Sequence, residues 1–201
     1  MTQRSSRLFL HLTVLLGLAL AAPLASAQDQ GGEEQVKGTR VALGAVSGGP
    51  KSQVMVPVFL TPYPAGTSVG SVTASIEYPN KGITFLKAEK SFLLDGVNGE
   101  IQVQNDKDTK DTKDPAKSVI QLAVSTKGEP RKPLREGLIL TLIFRVEPDA
   151  PAGNTVNLSI VKSGAANLES KPIQPLVSKN GSIEILAPEA VPYVSCFFFT
   201  H

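Results

Sequence analysis

The sequence predicts an all-β fold, a two-sheet sandwich of the jelly-roll kind. Three observations carry that expectation. Apolar residues recur with a period of two rather than 3.6 along most of the chain. Each apolar stretch is short and is bounded by glycine or proline, of which the chain holds 17 and 15. No segment of the body shows a convincing amphipathic helical stripe. About nine strands on that pattern close best as two packed sheets, each burying one face against the other.

The elements follow in order. Val41, Leu43 and Ala45 alternate toward one side, and Gly48-Gly49-Pro50 turns the chain. Val54, Val56, Val58 and Leu60 share one face, with Met55, Pro57 and Phe59 on the other. Pro57 cannot donate to a ladder, which places this strand at a sheet edge or at a bulge. Pro62 and Pro64 end it. Val72, Ala74, Ile76 and Tyr78 alternate with Ser71, Thr73, Ser75 and Glu77, giving one buried and one wet face. Pro79-Asn80-Lys81-Gly82 reads as a turn, and 83–88 as a short strand. Ile101 and Val103 face inward while Glu100, Gln102 and Gln104 face outward. Ile120, Leu122 and Val124 alternate with Gln121, Ala123 and Ser125. Residues 138–146 are apolar on both faces, as in a central strand. Val156, Leu158 and Ile160 make another strand, and Ile183 and Ile185 close the set.

Both ends of the chain lie outside this pattern. Arg4 and Arg7, an apolar run over 8–22 and Ala25-Ser26-Ala27 form the signature of a signal peptide cleaved before Gln28. The run is short for a membrane span. Export to the cell surface, the exterior or the periplasm is therefore expected for the mature chain. Residues 28–38 are a polar, glycine-rich lead-in expected to be disordered, the sandwich covers 39–186, and 187–201 form a tail ending in Cys196-Phe197-Phe198-Phe199. Cys196 is the single cysteine, so no internal disulfide supports the core.

Composition narrows the function. Lysine and arginine number 20 against 18 acidic residues, and loss of Arg4 and Arg7 with the leader balances the remainder. Such a chain lacks the basic footprint of nucleic-acid binding or of attachment to an anionic membrane. The two histidines are His11, in the leader, and His201, the last residue. The body thus has no imidazole for acid–base work, for ligating a metal or for activating a serine. Glu77 with Glu100 is the carboxylate pair to weigh for glycoside hydrolysis, although acidic residues on a wet strand face are ordinarily just solvated. Asp106, Asp108 and Asp111, within DKDTKDTKD, are the acidic cluster to weigh for calcium. Three interleaved lysines, and the lack of a loop glycine and a distal glutamate, favour a solvated charged loop there. No cofactor is expected. Asn157-Leu158-Ser159 and Asn180-Gly181-Ser182 match glycosylation sequons, read here as chance in or beside strands.

Several motifs, in order and spacing, resemble one family. Val46-Ser47-Gly48-Gly49-Pro50 followed by Val54-Met55-Val56-Pro57-Val58 is similar to the opening of cohesin domains. Val69-Gly70-Ser71-Val72 leading to Glu77-Tyr78-Pro79-Asn80 resembles the family's third strand and its turn. Glu136-Gly137-Leu138, the apolar strand to Val146 and Asp149-Ala150-Pro151-Ala152-Gly153 resemble the seventh strand and its turn. Asn180-Gly181-Ser182-Ile183-Glu184-Ile185 resembles the closing strand. The resemblance implies a nine-stranded jelly-roll sandwich that is a non-catalytic recognition module, here a single one of bacterial, secreted type. Its implied partner is a dockerin, a small calcium-loaded domain carried by a secreted polysaccharide-degrading enzyme. The implied docking surface is the sheet of the third, fifth, sixth and eighth strands. By position its outward residues are Ser71, Thr73, Ser75 and Glu77, then Gln102 and Gln104, then Gln121 and Ser125. Where well-known members carry an Asn and an Asp two residues apart, this chain has Ser71 and Thr73. Two other classes fit the same fold: a polysaccharide-binding module, for which Tyr63 is the candidate exposed ring, and a structural or adhesive surface domain.

Overall fold

The computed structural model describes residues 37–106, 114 and 116–187, with only the backbone described at Asp106. The expected signal peptide, most of the lead-in, Asp108 and Asp111 of the candidate calcium loop, and the tail beyond Ala187 lie outside the described residues.

Eleven strands and one short helical turn are described: β1 (Thr39–Leu43), β2 (Ala45–Gly48), β3 (Gln53–Thr61), β4 (Val69–Pro79), β5 (Ile83–Lys90), α1 (Phe92–Asp95), β6 (Gly99–Asp106), β7 (Lys117–Thr126), β8 (Gly137–Val146), β9 (Thr155–Asn167), β10 (Leu176–Lys179) and β11 (Gly181–Ile185). They form a five-stranded sheet, ordered β10-β1-β3-β8-β5, and a six-stranded sheet, ordered β2-β11-β9-β4-β7-β6. No helix among the described residues is long and apolar enough to cross a membrane.

The all-β sandwich is as expected, with two more strands than the alternation indicates. The first arises at Gly44. Its N–H donates to the Pro57 carbonyl (2.9 Å) in the five-stranded sheet, and its own carbonyl accepts from Ser182 N–H (3.4 Å) in the six-stranded one. A β-carbon at residue 44 would stand 2.5 Å from Pro57 Cγ. A glycine is thus required where the chain passes between sheets, and Ala45 is exposed instead of continuing the buried face of Val41 and Leu43. The second is β10, which pairs with β1 in parallel.

Pro57 is not on an edge strand. β3 lies between β1 and β8, and its ladder to β8 slips between Val58 and Phe59. Pro57 lies opposite Gly44, where β1 has ended, so its missing donor leaves no ladder bond unmade.

The core lies between the sheets. Val41, Val56, Val58 and Leu60 from one sheet meet Val72, Ile76, Ile120, Val124 and Leu158 from the other, all fully buried. Phe144 on β8 is the bridge. Its ring meets Tyr78 on β4 and Phe85 on β5 edge-on, each at 5.5 Å between centroids. The Tyr78 hydroxyl donates to Asn105 Oδ1 (3.0 Å), satisfying the one polar atom that ring carries inward.

Candidate functional site: the outer face of the six-stranded sheet

The outward residues of β6, β7, β4 and β9 lie in four cross-strand rows. The first is Glu100, Ser125, Ser71 and Ala166; the second is Gln102, Ala123, Thr73 and Gly164. The third is Gln104, Gln121, Ser75 and Lys162; the fourth is Val119, Glu77 and Ser159. Every outward residue implied by the resemblance falls on this one surface, because alternation fixes the face once the register is fixed.

The second and third rows make a shallow concavity of ≈ 380 Å³. Its floor is small, with Ala123 and Thr73, and Gly164 lies beside Thr73 in the same row, where a β-carbon would stand 2.8 Å from Thr73 Oγ1. Its walls are Gln102, Gln104, Gln121 and Lys162. Thr73, Gln102 and Gln104 are exposed. Ser75 is a correction to the wet face expected of it. It is 9% exposed, roofed by its neighbours, and its hydroxyl donates to Gln121 Oε1 at 2.7 Å. That bond orients the Gln121 amide, with its N–H₂ group left for other partners.

The flanks carry the charge. Lys117 Nζ donates to Glu77 Oε1 at 2.6 Å. That hydrogen bond, and then the carboxylate's charge, hold the ammonium above the ordinary lysine pKa. Lys127 pairs with Glu100 at the other end. Lys162 stands between them with no ion-pair partner among the described residues. The face therefore offers amides, hydroxyls and one cation around a small floor, bounded by internally neutralised pairs.

The reading of Glu77 with Glu100 as a hydrolytic pair does not hold. They oppose Val119 and Ser125, six residues apart along β7. At about 3.4 Å per residue that separation is about 20 Å, well beyond the 5–10 Å that glycoside chemistry uses. Each is also neutralised by its own lysine. No group of three or more histidine, cysteine, aspartate or glutamate side chains able to hold a metal exists among the described residues. The described aromatic rings are mostly internal. Tyr63, in the β3–β4 loop, and Phe92, in α1, are exposed.

Lys162 and Gly164 escape sequence reading. The alternation in β9 is clear only to Ile160; there the ladder to β4 slips, Val161 is left over, and a small, polar run follows. The run continues the strand to Asn167 because β4 continues to template it.

No protein-family model matches the sequence, and a search of curated proteins gives no match. Solved structures do match. The third cohesin of ScaC from Acetivibrio cellulolyticus, in complex with the ScaB dockerin, has a TM-score of 0.59 at 17% identity, covering 74% of this chain and 99% of that one. A non-cellulosomal cohesin from the archaeon Archaeoglobus fulgidus has a TM-score of 0.56 at 17% identity, covering 76% and 94%. The cohesin of a Clostridium thermocellum Coh-OlpC–Doc435 complex has a TM-score of 0.56 at 18% identity, covering 74% and 93%. At these identities the fold is what is shared: the chain is a β-sandwich with the cohesin fold.

Proposed function

We propose that this chain is a secreted, non-catalytic recognition module. Its six-stranded face binds a dockerin-like domain borne by an extracellular polysaccharide-degrading enzyme. The observation that carries the reading is the row structure of that face: a small-residue floor within walls of amides, hydroxyls and the Lys162 ammonium, flanked by Glu77 and Glu100, each tied to a lysine. A helix laid across rows two and three meets hydrogen-bond donors and acceptors at close range and no uncompensated carboxylate. Structures of the same fold are solved in complex with dockerins, which supports the choice of partner. Tight recognition of this kind buries about 800 Å² per partner.

The test is capture from the secreted proteins of the source organism by the full chain, with and without calcium. A calcium-dependent partner is expected, since dockerins are calcium-loaded. Thr73→Arg would drive a long side chain through the concavity over Gly164 and Ala123 and is expected to abolish capture while the circular dichroism spectrum stays unchanged. A partner that Thr73→Arg does not release would move the site elsewhere. A folded chain that captures nothing, with or without calcium, would reduce the likeness to one of fold.

A further inference from the structure

Toward one end of the six-stranded sheet two neighbouring strands part. The β4–β9 ladder runs as far as Glu77 opposite Ser159. Beyond that point β4 follows β7, with Pro79 opposite Lys117. The first residues of β9 follow β11 instead, with Asn157 opposite Ser182 and Thr155 opposite Glu184. The fork holds a cleft of ≈ 550 Å³, within the range of about 300–1,000 Å³ that small-molecule sites occupy. The β4–β5 turn, through Lys81 and Gly82, and the β8–β9 loop, through Pro151 and Asn154, border it. Both are tied to the fold. Glu147 N–H donates to the Gly82 carbonyl (2.9 Å), Gly153 N–H to the Ile185 carbonyl (2.7 Å) and Ile185 N–H to the Asn154 carbonyl (2.8 Å). The borders of the cleft are thus set by main-chain bonds.

The lining combines three chemistries. Pro79, Pro151, Val156 and Ile185 supply aliphatic carbon. Asn154, Thr155, Asn157 and Ser159 supply amides and hydroxyls, and none of these four side chains has a hydrogen-bond partner among the described residues. Thr155, Asn157 and Ser159 alternate along β9 and so project on one face. Glu77, Lys81 and Lys117 supply charge. Lys117 is answered by Glu77 at 2.6 Å and by the charge of Asp114 nearby. Lys81 has no ion-pair partner among the described residues, but one lysine with no arginine fork in the lining makes a weak anion site. The amides and hydroxyls are the larger resource. Each amide sets an acceptor beside a pair of donors, and each hydroxyl both gives and accepts. Neighbouring hydroxyls of a sugar ring, each donor and acceptor at once, match that set, and the ring's C–H groups match the aliphatic lining. We infer that this cleft binds a neutral oligosaccharide, at the opposite end of β4 from the loop that carries Tyr63. Glu77 and Ser159 also belong to the docking rows described above; Asn154, Thr155 and Asn157 do not.

The test is an NMR titration of the full chain, labelled with nitrogen-15, against cellotetraose, xylotetraose and mannotetraose in turn, with inorganic phosphate as the anion control. At least one of the sugars is expected to shift the side-chain amides of Asn154 and Asn157 and the backbone amides of residues 80–82 and 152–159, in a saturable way. Asn154→Ala and Asn157→Ala each replace an exposed side chain, and the spectrum itself reports that the fold is kept. Each is expected to weaken the sugar by about fivefold to tenfold, as the loss of one or two hydrogen bonds does. No saturable shift from any of the three sugars would overturn the inference. So would shifts from phosphate with none from a sugar, which would assign the cleft to an anion at Lys81. Sugar shifts confined to the rows around Thr73, or affinity unchanged in both variants, would place the sugar elsewhere and overturn it too. The titration contains no protein partner, so its outcome is separate from that of the capture experiment.

Discussion

Phe144 is the side chain whose removal tests the account of the core most directly. It is fully buried on β8 and its ring meets Tyr78, from the facing sheet, and Phe85, from its own. Truncation to alanine removes a whole ring from a close-packed interior that cannot collapse around the gap, a change that costs about 3–5 kcal/mol in comparable cores. Two edge-on aromatic pairs, each contributing about 0.5–1.5 kcal/mol beyond area burial, place Phe144→Ala in the upper part of that range, about 4–5 kcal/mol. Domains of this size have about 5–15 kcal/mol in all, so the variant should sit near the edge of folding. At about 2–4 °C per kcal/mol the midpoint falls by about 10–20 °C. The chain has no tryptophan, so urea and thermal unfolding are followed by far-ultraviolet circular dichroism. Phe144→Leu keeps most of the volume and should lose about 1–2 kcal/mol. A double-mutant cycle with Tyr78→Leu isolates the inter-sheet ring pair, with an expected coupling of about 0.5–1.5 kcal/mol. A Phe144→Ala cost below about 2 kcal/mol, or a coupling indistinguishable from zero, would refute the claim that this ring ties the sheets together.

Other expectations follow from single contacts. Tyr78→Phe keeps the ring pair but orphans Asn105 Oδ1, and should cost about 1 kcal/mol in the same unfolding assay. Gly181→Ala places a β-carbon 2.5 Å from the Gly44 carbonyl and 2.6 Å from Leu43 Cβ, so a loss of about 1–3 kcal/mol is expected, whereas Gly153→Asn, in open space at φ +80, should lose far less. Lys117, raised by its bond to Glu77, stabilises the fold at every pH below the ordinary lysine pKa of about 10.4. That contribution disappears as pH climbs through the higher folded value. Glu77→Gln should therefore bring the Lys117 titration, read by NMR at the ε-methylene, back toward the ordinary value. Ser75→Ala releases the Gln121 amide from its orienting bond and should weaken partner capture more than it lowers stability.

The strands that bury one face could be read directly from the sequence. Val72, Ala74, Ile76 and Tyr78 against Ser71, Thr73, Ser75 and Glu77 gave both the element and the candidate surface, since period-two alternation fixes which side chains share a side. Four things escaped it for physical reasons. At Gly44 the local pattern continues into Ala45, but the hydrogen bonds change sheet, a decision taken by Pro57 and Ser182 far along the chain. β10 is four residues, LVSK, two half-buried and two exposed, whose strand state rests on pairing with β1 rather than on its own pattern. Ser75 reads as a wet position, yet it is covered once Gln121 lies beside it in the register. The end of β9, which places Lys162 and Gly164 in the site, has too little apolar content to signal itself.

The pairing of β1 with β10 and of β2 with β11 joins the first strands of the domain to the last. Both pairs are parallel, and nearly the whole domain separates their members in sequence. Such contacts form late, because closing a loop of that length must come before they reward it. The first strands therefore wait for the final one, and until Gly181–Ile185 is available β2 has no neighbour in its sheet. A chain emerging end-first from a narrow exit would stay unlocked until its last strand is through. The sandwich is then shut by its two ends together, and a chain shortened by even that one strand should lose cooperative folding as a whole rather than a corner of its structure.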